Sequence, residues 1–178
     1  MINYKGDPTM SKLSTLMFSI ILFSSAVSAT ELSVNTGSRK DSNPGKFTSI
    51  SEVKLQDDAL GVQFTTGTVS RVEADYSLKV PKVPFVSVAV GAGAVSNGVA
   101  HYTYSVEPKI TLPVGVVNVS ASYQYRNAVK SGMTDKTNTS ELAVSYAVNK
   151  KVSVDAKINR SLGDQRYNAT FVGAAYTF

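Results

Sequence analysis

From residue 31 to residue 178 the chain repeats one pattern: apolar and polar side chains alternate in short runs, and no window sustains the period of a helix. Alternation of this kind puts every second side chain on one face of an extended segment, so the chain is constrained to build sheet throughout. Thr170, Val172, Ala174, Tyr176 and Phe178 share one face, against Ala169, Phe171, Gly173, Ala175 and Thr177 on the other. Val117, Val119, Ala121, Tyr123 and Tyr125 oppose Asn118, Ser120, Ser122, Gln124 and Arg126 in the same way. Runs near 60–65, 71–79, 86–93, 101–110, 141–148 and 152–159 repeat the opposition, separated by Gly, Pro, Asn, Asp or Lys. Two earlier runs, 32–38 and 47–56, are weaker. Counting them gives ten strands, the favoured number; discarding them gives eight.

Prolines and polar stretches mark the connections. Pro81, Pro84 and Pro113 are expected between strands, where a missing amide donor does no harm to a ladder. Pro108 falls within a run, so it is expected near a rim or a bulge. The polar stretch 127–138 reads as the longest loop.

Composition removes several functions. The chain has no cysteine, which excludes thiol chemistry and zinc fingers, and its single histidine, His101, cannot supply a multi-histidine metal site. A net charge of +5 is spread over Lys and Arg residues that, Arg39–Lys40 and Lys150–Lys151 apart, stand singly and make no basic stripe, which argues against nucleic acid as a partner. No metal or cofactor is expected.

Lys5 and Lys12 precede an apolar run at 13–23, followed by small residues ending at Ala29. That order reads as a secretory signal peptide over 1–29, with one domain from 30 to 178. The apolar run is about half the length a spanning helix needs.

Alternation alone does not say whether the apolar face meets lipid or a soluble core. Threading the strands alternately from an inner end places Phe47, Phe64, Tyr102, Tyr104, Tyr123 and Tyr125 toward the outer end. Tyr76, Tyr146, Tyr176 and Phe178 then lie toward the inner end, with Val and Ala between. Two aromatic girdles around an aliphatic band are the layout of a transmembrane antiparallel up-and-down β-barrel. Brief inner connections near 57–58, 81–84, 112–114 and 149–150, against longer outer ones at 39–46 and 127–138, point the same way, as does an even strand count.

The closing segment RYNATFVGAAYTF, 166–178, resembles the last strand of small bacterial outer-membrane β-barrel proteins, porin-like or of eight to ten strands. The resemblance implies outer-membrane localisation in a Gram-negative envelope and contact with membrane lipid and lipopolysaccharide. It also implies recognition by the barrel-assembly machinery through Val172, Tyr176 and Phe178, and a monomeric barrel. It specifies architecture and carries no substrate motif.

If the apolar face is outside, the lumen receives Glu52, Lys54, Arg71, Glu73, Asp75, Lys79, His101, Glu107, Lys109, Arg126, Glu141, Asp155 and Lys157. Acids and bases nearly balance, so strong ion selectivity is not expected. A barrel this narrow is expected to fill with ion pairs and hydrogen bonds, leaving a structural or surface-interaction role through the outer loops. A narrow channel for small solutes is the alternative. A lipid-modifying enzyme is the third reading, and the spacing weighs against it: His101 and Ser105 stand about 13 Å apart along one strand, too far for one to activate the other.

Overall fold

The period-two sequence closes on itself. A computed structural model, which describes residues 31–41, 47–67, 70–96, 100–130, 133–163 and 166–178, pairs ten strands into one barrel. In chain order they are β1 (Glu31–Asp41), β2 (Phe47–Asp57), β3 (Leu60–Thr66), β4 (Ser70–Lys79), β5 (Val86–Ser96), β6 (Ala100–Val114), β7 (Val117–Lys130), β8 (Met133–Ala147), β9 (Val152–Gly163) and β10 (Tyr167–Thr177). Every consecutive pair is an antiparallel neighbour, and β1 closes on β10 from Glu31↔Thr177 to Asp41↔Tyr167. The two weak runs are therefore full strands, and the count is ten. The segment read as a signal peptide lies outside the described residues.

The rim carrying the start of β1 and the end of β10 is here called the inner rim, and the opposite one the outer rim. Residues 127–130 and 133–138, within the stretch expected to be a loop, are strand. They continue β7 and β8 as a paired ladder up to Lys130↔Met133. The alternation fades there because backbone hydrogen bonds hold a hairpin together without an apolar face, once neither side has hydrocarbon or core to meet. The expected loop asymmetry is likewise absent: outer connections at 42–46, 67–69, 97–99, 131–132 and 164–166 are no longer as a group than inner ones at 58–59, 80–85, 115–116 and 148–151.

Pro113 stands inside β6, opposite Asn118, rather than between strands. One residue from the strand end, a missing donor costs the ladder little. Pro108 is also within β6, and the β6–β7 pairing skips from Val106↔Tyr125 to Lys109↔Ser122 around it. Pro81 and Pro84 fall in the β4–β5 connection, which is closed by Val80 N–H donating to Val86 C=O at 2.9 Å. At the β8–β9 turn the Asn149 side chain accepts from the amides of Lys151 and Val152 at 2.8 and 2.9 Å, a local cap that sets the tight return.

Outward positions on all ten strands carry exposed apolar side chains, among them Val34, Phe47, Leu60, Val72, Val90, Val106, Tyr123, Leu142, Ile158 and Val172. Val53 and Leu55 also point outward by register yet are buried, set between Leu32, Val34, Val62 and Phe64 on the flanking strands. Buried polar and charged groups, including Glu52, Glu73, Thr103, Ser105 and Arg126, face the interior. A soluble barrel would show the opposite distribution.

Candidate functional site

The interior holds a cavity of about 510 Å³. Its lining runs from Glu31 and Asp58 at the inner rim to Arg39, Arg71 and Tyr167 toward the outer one. Ten strands about 4.8 Å apart and tilted by about 40° enclose a backbone cylinder of roughly 10 Å radius, so some lumen remains after side chains are placed.

Two networks occupy opposite sectors. In the first, the Glu73 carboxylate on β4 takes the Arg126 guanidinium of β7 at 2.8 and 3.0 Å, both on Oε2. Its Oε1 accepts the Ser105 hydroxyl at 2.5 Å and the Gln124 amide at 3.1 Å. Glu73 reaches past β5 because that strand offers no side chain in the way: a Cβ on Gly91 would stand 2.6 Å from Ser105 Oγ and 2.9 Å from Glu73 Oε1. Glu73 and Arg126 are buried, and their pairing satisfies charges that would otherwise be costly there.

In the second network Lys157 on β9 bonds Glu52 on β2, with Glu141 Oε2 at 3.6 Å. Gln63 donates to Glu52 Oε2 at 2.7 Å. The Lys157 ammonium also sits 4.8 Å from the centre of the Phe171 ring. A smaller bridge, Lys54 to Asp75 at 3.4 Å, passes over Gly61 of β3, whose absent Cβ would meet both Asp75 oxygens under 3.0 Å.

The main ion pair of each network, Glu73–Arg126 and Lys157–Glu52, spans three of the ten strand intervals. Such a chord lies about 6 Å from the barrel axis, so the ion pairs line the wall and leave the middle open. Asp75, Glu107, Lys109, Glu141 and Asp155 face this space along with the residues already named. Lys79 is exposed at the inner rim and His101 lies beyond the outer end of the cavity, so neither is part of its lining. His101 Nε2 is buried without a hydrogen-bond partner among the described residues, and Ser105 is engaged by Glu73.

The inward face also holds residues that were not singled out from sequence. Ile50, Tyr167, Ala169 and Phe171 form a buried apolar cluster on β2 and β10. Arg39 stacks on Tyr167, its guanidinium carbon 4.1 Å from the ring centre, and is held by Asp41 at 2.7 Å. The signal was present in β10, where Tyr167, Ala169 and Phe171 share the face of Gly173 and Ala175. An apolar run inside a polar lumen has no period of its own to announce it. Among the described residues no group of three or more His, Cys, Asp or Glu could hold a metal ion, and no helix is long and apolar enough to cross a membrane.

No family model matches the chain, and no curated protein matches it in sequence. Among solved structures it is similar to the NanC porin, at 13% identity over 83% of this chain and 100% of that one, with a TM-score of 0.47. It is similar to Neisserial surface protein A at 14% identity, over 83% and 96% of the two chains, with a TM-score of 0.44. The KdgM porin, in a complex with disordered oligogalacturonate, gives 12% identity over 83% and 99%, with a TM-score of 0.48. At these scores the strand pairing itself, not the likeness, carries the architecture.

Proposed function

We propose that the protein is an outer-membrane β-barrel whose lumen is a narrow, water-filled passage for small polar solutes. The observation that carries this reading is the 510 Å³ cavity, lined by polar and charged residues from the inner rim to the level of Arg39 and Tyr167. Space of that size takes tens of waters. The belt of exposed apolar side chains on all ten strands supports the membrane setting, since a soluble monomer rarely exposes a patch beyond a few hundred Å². Strands of 10 to 15 residues, β3 at 7 apart, suit a tilted crossing.

In this reading the inner rim is periplasmic. Tyr176 and Phe178, edge to face at 5.3 Å, offer the barrel-assembly machinery an outward aromatic terminus together with Val172. Lipopolysaccharide surrounds the outer rim.

Single-channel recording of the folded chain in a planar bilayer tests the passage. Small, reproducible conductance steps are expected, and Lys157→Met is expected to enlarge them by opening one chord. The paired extension of β7 and β8 through 127–138 favours a second reading, in which the lumen is closed and the barrel acts through its outer surface. Silence from a chain shown to be folded by its heat-dependent gel shift would select that reading.

A further inference from the structure

Near-balance of charge along the sequence conceals a separation along the barrel axis. Arg39, Arg71 and Arg126 all line the cavity, eight, eight and nine residues from the inner ends of their strands at Glu31, Lys79 and Val117. They therefore share one level toward the outer rim. Lining the inner part are Glu31, Asp58, Asp75 and Asp155, with Lys54 and Lys109 the cations among them.

The three arginines are not equivalent. Arg126 is taken by Glu73, and Arg39 by Asp41 and the Tyr167 ring. Among the described residues Arg71 has no ion pair, and its buried Nε has no hydrogen-bond acceptor. The groups that act on it electrostatically are Arg126, Tyr167, Glu73 and Arg39, so two further cations stand close by. Among the described residues, three guanidiniums thus meet two carboxylates at this level, each carboxylate already engaged by another arginine.

A guanidinium left without an acceptor among like charges is costly in a protein interior unless water or a ligand supplies the missing partner. Its planar fork matches the paired oxygens of a carboxylate or phosphate. We propose that Arg71, flanked by Arg39 and Arg126, forms a binding site for a small oxyanion in the outer third of the lumen. The proposal rests on the open lumen described above but not on its conducting. Anions arriving from the outer side meet the arginines first, whereas on the inner approach Glu31, Asp58, Asp75 and Asp155 outnumber Lys54 and Lys109; the field steers them to the site from outside.

The test uses the folded full-length barrel in detergent, titrated by calorimetry with inorganic phosphate and, separately, with acetate, at constant ionic strength made up with chloride. Saturable binding of at least one is expected, and the tighter of the two identifies the oxyanion class. Arg71→Gln is expected to weaken it at least ten-fold, and Arg71→Lys, which keeps the charge but loses the fork, by an intermediate factor. Lys54→Gln, a cation nearer the inner rim, should change it less than two-fold. Arg71→Gln should also unfold at the same or higher denaturant concentration, because it removes an unpaired charge.

Absence of saturable binding, or binding by Arg71→Gln equal to that of the parent chain, overturns the site. Equal losses in Arg71→Gln and Lys54→Gln would overturn it too, as they would show only general attraction to positive charge. A chain that binds phosphate but never conducts would refute the passage and keep the site. One that conducts without binding would do the reverse.

Discussion

Two walls of one lumen hold themselves together by different physics. Around β10 and β2 the inward face carries an apolar cluster beside the Lys157–Glu52 pair: Ile50, Tyr167, Ala169 and Phe171 pack together, with Arg39 and Lys157 laid against the rings. Around β4 to β7 it is polar, with Glu73, Ser105, Gln124 and Arg126 bonded across the small residues of β5. The apolar wall flanks the place where β1 meets β10, the one pairing that joins residues at opposite ends of the barrel sequence. Every other pairing is a hairpin, closed over a short loop. Closing the last seam carries the largest loss of chain entropy, and packed apolar contacts there offset it without depending on one geometry. The polar wall, built from neighbouring hairpins, is free to carry charges that hold a lumen open.

Substitutions at either wall test whether the two are independent. Glu73→Leu should have the largest effect, leaving Arg126 buried and unpaired beside Arg71; a loss of about 3–5 kcal/mol is expected from urea unfolding of the folded barrel. Phe171→Ala, at a position 2% exposed, should cost about 3 kcal/mol, while Val172→Ala beside it, 60% exposed on the outer face, should cost well under half as much in lipid. Equal losses at the two positions would deny the seam its packed core. Gly91→Ala comes next, at about 1–3 kcal/mol, because the new methyl meets the Ser105 and Glu73 oxygens; Ser105→Ala in the same chain should recover part of that loss. The smallest effect is expected for Arg39→Gln, about 1 kcal/mol from the lost ring contact and Asp41 pair. Combining Glu73→Leu with Phe171→Ala should add within about 0.5 kcal/mol, as befits independent walls. Strong coupling between them would show that the two form a single core.

Some of this architecture was legible before any coordinates. Lipid or core, some apolar phase had to take every second side chain, so the strands and their outward faces could be read directly from the alternation at residues such as Val117, Val119, Val152 and Val154. The limits of strands were harder. Asn127 to Asn138 looked like a loop because a hairpin beyond the apolar band is held by backbone bonds, which any polar sequence satisfies. Pro113 looked like a connection because its cost to a strand depends on which end of the ladder it occupies.

By itself, then, the sequence determined an all-β chain of eight or ten strands, ten favoured, and the two faces of each alternating run. It placed Glu73 and Arg126 on the same side without pairing them, and it counted Arg71 among balanced charges. Only closure decided which charges meet, because residues 32 or 105 positions apart, such as Ser105 and Glu73 or Lys157 and Glu52, become neighbours through barrel register and the space above a glycine. Period two fixes direction; distance across a lumen is set by strand number, tilt and the side chains in between.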